Sequence, residues 1–102
     1  MKHDNATSEH HGKGHQHLIS AGQIRAARAL LGWDQRQLAQ AAGISVPTVQ
    51  RMEASDGTVR ANVDTLEKVI NALHSAGIEL IGDGAASIGG GRGLRFTAAS
   101  RR

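Results

Sequence analysis

Residues 33–53 read WDQRQLAQAAGISVPTVQRME, a stretch that predicts two short helices joined by a three-residue turn. Asp34 and Gln37 have the capping-box spacing at the start of the first helix, and Gly43 stands where a helix typically ends in a left-handed residue. Ser45 then caps the second helix. The proline two residues later is tolerated there, because the N–H groups of a first helical turn have no partner within the helix.

The second of these helices has two unlike faces when its residues are placed about 100° apart. Val49 and Met52 fall on one side, which predicts contact with a core. We expect an outward face with an apolar tip, a long polar side chain and a cation, formed by Val46, Pro47, Gln50 and Arg51. Such side chains can read DNA, since Arg pairs with guanine, Gln with adenine, and small apolar groups contact the thymine methyl. The alternative is an ordinary solvated face, and this helix by itself does not decide between the two.

Similar signals flank this unit and predict two more helices. A capping-box spacing at Ser20 predicts a helix that ends at about Leu31. After a polar loop, Asn62 predicts the start of a longer helix that runs through Ser75. We expect the buried face of this last helix to consist of Val63, Leu66, Ile70 and Leu73.

The order of residues over about 19–74 resembles the Cro/C1-type helix-turn-helix regulators, also called the XRE family. The matching positions are Ile24, Arg28, the LGWDQ stretch at 31–35, Leu38-Ala39, Gly43-Ile44-Ser45, Val49 and Arg51-Met52-Glu53. The resemblance implies a mostly α, lambda-repressor-like bundle of about four or five helices. Its third helix would enter the major groove of double-stranded DNA, usually as a homodimer on two half-sites.

The resemblance also implies roles for individual residues. Its DNA-binding positions are Gln35, Ser45, Val46, Pro47, Thr48, Gln50 and Arg51. Gln35 would brace against a phosphate and can touch a base. Ser45 and Thr48 would meet the sugar-phosphate backbone, because hydroxyl groups near a helix N-terminus add to N–H groups that favour anions. Arg28 and Glu53 correspond to an internal ion pair of the family, which is a structural role.

Val46 and Pro47 depart from the polar residues that this family more often carries at the tip of the recognition helix. Contact with a thymine methyl or packing on a sugar are the options that remain at these two positions. We therefore expect Gln50 and Arg51 to carry most of the direct base discrimination. A good bidentate contact contributes about 1–3 kcal/mol.

Length and composition limit the classes of protein that fit. A chain of 102 residues has room for one domain, and the absence of cysteine excludes disulfides and thiolate metal sites. No apolar run reaches the ~18 residues of a membrane span, and the polar start does not read as a signal peptide, so we expect a cytoplasmic protein without membrane contact. No phosphate-binding glycine loop, nucleophile elbow or carboxylate–histidine pair predicts an enzyme, and no cofactor or metal is expected.

The two ends differ from the predicted DNA-binding domain, residues 18–77. Residues 1–17 hold five of the six histidines among Lys, Gly, Ser and Asn, a composition that predicts a disordered tail. A metal site there is the weaker hypothesis, because no cysteine or carboxylate frame fixes the spacing. The net charge of +3 lies entirely in the basic C-terminal tail, which contains four arginines and one aspartate. This charge can add salt-sensitive affinity for phosphates.

Two β-prone segments, IELIG at 78–82 and GLRFT at 93–97, follow the last helix and flank a glycine-rich run. They can pair as an antiparallel hairpin within residues 78–102. A single hairpin is marginal in water, so we expect it to pack on the helices or on a second copy, as a candidate dimerisation element. A disordered glycine-rich tail is the alternative.

These patterns favour a sequence-specific DNA-binding transcriptional regulator that occupies an operator through the major groove, as a homodimer and without enzymatic activity. The alternative is a protein-interaction module, such as an antitoxin-like protein, that keeps the helical fold and binds a protein partner through its C-terminal segment. The two differ in salt dependence, because only a DNA binder should lose affinity steeply as salt rises.

Overall fold

The computed structural model describes residues 19–82, 84–95 and 97. These residues form four helices, α1 (Ala21–Leu31), α2 (Gln35–Ala42), α3 (Val46–Glu53) and α4 (Val63–Ser75). The predicted small helical bundle is therefore confirmed, while the His-rich tail predicted at 1–17 lies outside the described residues. No helix in the described part of the chain has the length and apolar character needed to cross a membrane.

Each helix begins at the cap that the sequence predicts. The caps are Ser20 for α1, Asp34 for α2, Ser45 for α3 and Asn62 for α4. The first two are complete capping boxes, in which a glutamine side chain returns to the N–H of the cap residue at 2.8 Å. α1 and α2 end at Gly32 and Gly43, with φ of 69° and 71°. Gly43 is the stop that was predicted, and both glycines lie in the left-handed region, which costs other residues about 1–2 kcal/mol.

One core joins all four helices. Its most deeply buried side chains are Ile24 on α1, Leu38 on α2, Val49 on α3, and Val69 and Leu73 on α4. α2 packs against both α3 and α4, and α1 packs against α3. Since α1 and α2 both contact α3, its inner side is fixed and its opposite side faces outward.

The buried face of α4 differs from the one that we expected. Val69 is completely buried, whereas Val63 is 56% exposed. Leu66, Val69 and Leu73 follow one another at steps of three and four residues, which keeps them on one side of the helix. Val63 lies in the first turn of α4, about 120° around the helix from Val69. The expected buried face was therefore wrong to include Val63 and wrong to omit Val69.

A short backbone contact ties the start of the described chain to the loop after α3. The Ala21 N–H donates to the Gly57 carbonyl at 3.0 Å, and the Val59 N–H donates to the Ile19 carbonyl at 2.8 Å. Ser20 and Thr58 form an isolated antiparallel bridge between these two hydrogen bonds. The loop that follows α3 is therefore held against the beginning of α1.

The expected β-hairpin is not formed, since residues 78–82 and 84–95 contain no strand. Ile78 and Leu80 pack partly against the core, whereas Ile88 and Leu94 are 92% and 95% exposed. Phe96, which belonged to the expected second strand, lies outside the described residues. A hairpin with so little apolar surface gains too little burial to offset the ordering of a glycine-rich connection.

Side chains, rather than a strand ladder, hold this C-terminal segment together. The Glu79 carboxylate accepts hydrogen bonds from the Ile88 N–H at 2.9 Å and the Ser87 hydroxyl at 3.0 Å. These contacts lower the pKa of Glu79, the backbone bond from Ile88 most of all and the Ser87 hydroxyl next. Arg95 donates to the carbonyls of Ala85 at 2.6 Å and Gly82 at 3.2 Å. The segment is thus a loop held by exposed polar contacts.

Candidate nucleic-acid interface

The outward side of α3 carries exposed side chains of the types that were predicted. Pro47, Gln50 and Arg51 are all exposed. Val49 and Met52 point into the core and are almost completely buried. α3 therefore presents one apolar, one amide and one guanidinium group on a helix whose other side is anchored.

Val46 is placed differently from the outward position that we expected. Its side chain is half-buried and packs against the core. The reason is geometric, because Val46 precedes the buried Val49 by three residues and so lies only about 60° from it around the helix. Contact between Val46 and DNA stays a prediction, and only the uncovered part of the side chain is available for it.

Two hydroxyl groups and one guanidinium group form a chain of hydrogen bonds along α3. The Ser45 hydroxyl accepts from the Thr48 N–H at 3.2 Å and shares a hydrogen bond of 2.8 Å with the Thr48 hydroxyl. Arg51 Nη2 donates to the Thr48 hydroxyl at 3.4 Å. The fold thus brings these three predicted residues together, with Pro47 and Gln50 on the same exposed part of the helix.

A polar pocket of about 310 Å³ lies between α3 and the start of α4. It is lined by Thr48, Arg51, Met52, Arg60, Ala61, Asn62 and Thr65. Two guanidinium groups and a helix N-terminus at one pocket suit an anion, such as a backbone phosphate. Arg60 was not among the predicted site residues. The signal that could have identified it is a basic residue placed two positions before a helix cap.

The inner end of α3 is held by a network around Glu53, which is only 6% exposed. Arg28 Nε donates to Glu53 Oε2 at 2.7 Å and Arg28 Nη2 donates to Oε1 at 2.8 Å, so the predicted ion pair is confirmed and is bidentate. Gln35 Nε2 donates to Oε1 at 3.0 Å. Arg25 Nη1 donates to the main-chain carbonyl of Glu53 at 2.5 Å. Three side chains from α1 and α2 therefore meet the last residue of α3.

The network keeps the Glu53 carboxyl ionised. Burial by itself raises the pKa of this carboxyl, but the hydrogen bonds from Arg28 and Gln35, together with the charges of Arg28 and Arg25, outweigh burial and lower it. The same hydrogen bond to Glu53 raises the pKa of Arg28. A buried carboxylate that is fully paired is a structural element, so this pair positions α3 and is no catalytic group.

Gln35 lies apart from the other predicted site residues, at the start of α2. It is half-buried, and its amide nitrogen is engaged with Glu53. An amide nitrogen carries two N–H donors, so its predicted phosphate contact can come from the second of these or from the neighbouring main-chain N–H groups of α2. Gln35 is thus linked directly to the last residue of α3, through the carboxylate that also binds Arg28.

Among the residues that the structure describes, no three His, Asp or Glu side chains form a group that could hold a metal ion. Five histidines of the predicted N-terminal tail, His3, His10, His11, His15 and His17, lie outside those residues. The described site therefore consists of hydrogen-bonding and cationic groups.

Comparison with known proteins places this arrangement in a family. The sequence pattern of a helix-turn-helix family matches residues 24–79, more than half of the chain, and covers α2, α3, α4 and most of α1. No curated protein and no solved structure matches the chain. The match includes the Glu53 network, the outward side of α3 and the pocket beside α4. The chain belongs to the Cro/C1-type helix-turn-helix family of DNA-binding proteins.

Proposed function

We propose that this protein is a sequence-specific transcriptional regulator that acts in the cytoplasm and occupies an operator by placing α3 in the major groove of double-stranded DNA. The observation that carries the proposal is the outward side of α3, where Pro47, Gln50 and Arg51 are exposed together. Val49 and Met52 anchor the other side of the same helix. A major groove admits one α-helix, whose outward side chains then meet the base edges.

Gln50 and Arg51 are the residues that we assign to direct base readout. A guanidinium group donates two parallel hydrogen bonds to guanine, and a carboxamide pairs with adenine in the same groove. Pro47 offers apolar surface nearer the start of the helix, where a thymine methyl or a sugar can pack. Val46 adds to this tip with the part of its side chain that the core leaves uncovered.

Backbone phosphates are assigned to the start of α3 and to the pocket beside it. Ser45 and Thr48 place hydroxyl groups where the N–H groups of a helix N-terminus already favour an anion. Arg60 adds a guanidinium group to the pocket that Arg51 also lines. Gln35 braces a further phosphate from the start of α2. Such contacts fix the register of the protein on DNA without reading sequence.

We further propose that the protein binds as a homodimer, with residues 78–102 forming the contact between copies. Ile88 and Leu94 support this proposal, because the fold leaves both almost entirely in solvent and exposed aliphatic groups favour association. A variant that ends after Gly82 should have the mass of a monomer in solution where the full chain has that of a dimer. A truncated chain that still dimerises would place the contact elsewhere.

Selection of bound fragments from a random or genomic DNA pool tests the proposed function. We expect the bound fragments to share an inverted repeat, and their affinity to fall steeply with salt because phosphate contacts release counterions. A pool without enrichment at moderate salt would contradict the proposal. That result would favour a protein-interaction module.

Arg51→Ala tests the assignment of base readout. We expect it to cost about 1–3 kcal/mol of binding free energy and to relax specificity at one base position. Lys68→Ala is the matched control, because Lys68 lies on α4 in a different groove, between α2 and α4. This control should leave the selected sequence unchanged. An identical response of the two variants would mean that Arg51 contributes charge and no base readout.

A further inference from the structure

We propose that Arg25 is a positioning residue that fixes the C-terminal end of α3, and hence the orientation of the recognition side, without contacting DNA itself. This inference rests on the proposed function for its consequence in DNA binding. Its structural basis is the hydrogen bond from the Arg25 guanidinium to the main-chain carbonyl of Glu53, the last residue of α3.

The end of α3 needs such a partner because it has no glycine stop. α1 and α2 close on Gly32 and Gly43 in the left-handed region, but the residue that follows α3 is Ala54 with φ −87° and ψ −5°. A helix leaves its last four carbonyl groups without partners inside the helix, and cations near them interact favourably with the helix dipole. Arg25 supplies both a donor and a positive charge at this end.

Arg25 and Arg28 divide the work of holding Glu53. They lie three residues apart, on one side of α1. Arg28 binds the carboxylate, whose side-chain torsions can rotate. Arg25 binds the main chain, so it fixes the helix end itself. If only the Arg28–Glu53 ion pair joined the two helices, α3 could rotate about the torsions of the Glu53 side chain. The second contact, from Arg25 to the main chain, fixes the orientation of the last turn of α3 against α1.

The path of the Arg25 side chain agrees with this role. It runs back along α1, so that Nη2 lies 3.9 Å from where a Cβ on Gly22 would be. Long side chains on helices lean in this direction, toward the N-terminus of their own helix. The guanidinium group also favours the ionised form of Glu53 and helps to lower the pKa of its carboxyl. The Arg25 guanidinium group is thus bound to the last residue of α3.

Measurements on free protein test the positioning role independently of DNA. In the full-length chain, Arg25→Ala should speed amide hydrogen exchange several-fold at residues 50–54 and raise the pKa of Glu53 measured by NMR. Arg25→Lys should restore most of the slow exchange, because an ammonium group can also donate to the carbonyl. Lys68→Ala should change neither readout. Unchanged exchange and an unchanged Glu53 pKa in Arg25→Ala would overturn the proposal.

DNA binding supplies the second readout, on a fragment obtained by the selection described above. Arg25→Ala should weaken binding by the same factor at every salt concentration and leave the slope of log affinity against log salt unchanged. A slope reduced by about 0.9, the value for one lost phosphate contact, would identify Arg25 as a DNA contact and overturn the proposal. If the wild-type chain bound no fragment, the proposed function would fail, while the free-protein measurements would still decide whether Arg25 positions α3.

Discussion

Residues 19–77 and the described residues beyond them hold their shape by different means. In the helical part, apolar side chains of four helices meet in one core and a buried carboxylate is fully paired. In the C-terminal segment, Ile88 and Leu94 stay in solvent, and exposed bonds to Glu79 and Arg95 hold the backbone. Burial contributes far more stability than exposed polar contacts do, so mutation, acid and truncation should affect the two regions very unequally.

The largest difference should follow Arg28→Ala, which leaves the Glu53 carboxylate buried without its ion-pair partner. The side chains of Arg28 and Glu53 are 20% and 4% exposed. Removing one member of a buried pair costs about 3–5 kcal/mol. Urea unfolding followed by Trp33 fluorescence measures this loss in the free energy of unfolding.

Lys68→Ala is the control for this prediction. The Lys68–Asp64 pair, at 3.4 Å, is exposed, and its loss should cost less than about 0.5 kcal/mol. Comparable losses in Arg28→Ala and Lys68→Ala would contradict the assignment of the Glu53 network as the main polar support of the fold.

Acid should act on the helical part through Glu53. Because the pKa of this carboxyl is lowered in the fold, its ionised form stabilises the protein above the ordinary unfolded value of about 4.3. That contribution is lost as the pH falls from there through the lower pKa of the folded state. The free energy of unfolding, measured from neutral pH to below pH 4, should therefore fall more steeply in the wild type than in Glu53→Gln.

Glu79→Gln is the comparison from the C-terminal segment. The pKa of Glu79 is also lowered, by the hydrogen bonds from Ile88 and Ser87, but the carboxylate is on the surface. We expect this variant to keep the acid response of the wild type in global unfolding. The opposite result would be a fall in unfolding free energy at low pH that disappears in Glu79→Gln and persists in Glu53→Gln. It would mean that the C-terminal segment, and not the Glu53 network, sets the acid sensitivity.

Replacing either of two glycines in the helical part by alanine should change the stability of the fold in opposite directions. Gly43→Ala places a Cβ at φ 71° and should cost about 1–2 kcal/mol from backbone strain alone, since no atom lies within 4 Å of that Cβ. Gly22 is helical, and its Cβ would meet only Ser20 Oγ at 3.8 Å and Arg25 Nη2 at 3.9 Å. Gly22→Ala should therefore stabilise the fold by up to about 1 kcal/mol. Thermal unfolding compares them, and equal melting temperatures would contradict both assignments.

The smallest effect is expected from truncation after Gly82. This variant keeps Ile78 and Leu80, which pack on the core, and removes the exposed segment beyond them. Measured at a concentration low enough for the wild-type chain to be a monomer, its free energy of unfolding should lie within about 0.5 kcal/mol of the wild-type value. Truncation after Gly77 should cost more because it also removes those two apolar contacts. A large loss from the shorter deletion would mean that the C-terminal segment supports the core.

The helices were predictable because their signals are local. A cap at Ser20 or Asp34 acts on an N–H only three residues away, and a glycine such as Gly43 ends a helix through its own backbone torsion. The family resemblance added the Arg28–Glu53 pair, which joins helices that are far apart in the sequence. These signals suffice for the number, order and ends of the helices.

Positions that depend on neighbouring helices were harder to predict. Helical spacing alone puts Val46 about 60° from the buried Val49 and puts Val69 beside Leu66 and Leu73, but how far each side chain is covered depends on the neighbouring helices. Arg25 belongs to no local pattern, because it acquires its role through a segment distant in the chain. Arg60 is marked locally only by its place two positions before a helix cap, and the pocket beside α3 is what gives it a role. Whether the hairpin forms depends on how much apolar surface the two β-prone segments bury together. Local sequence patterns do not report this quantity.

The two backbone hydrogen bonds between Ile19–Ala21 and Gly57–Val59 make a ring of the chain from α1 through α3. Closing a loop lowers the conformational entropy available to everything inside it, and the entropy of closure depends only weakly on loop length. Within this ring, a shift of α3 along its axis has to be taken up by the loop that follows it, by the junction or by the preceding helices. If DNA binds α3 as proposed, a force on this helix is carried back to residues 19–21, so these residues and α3 form one mechanical unit.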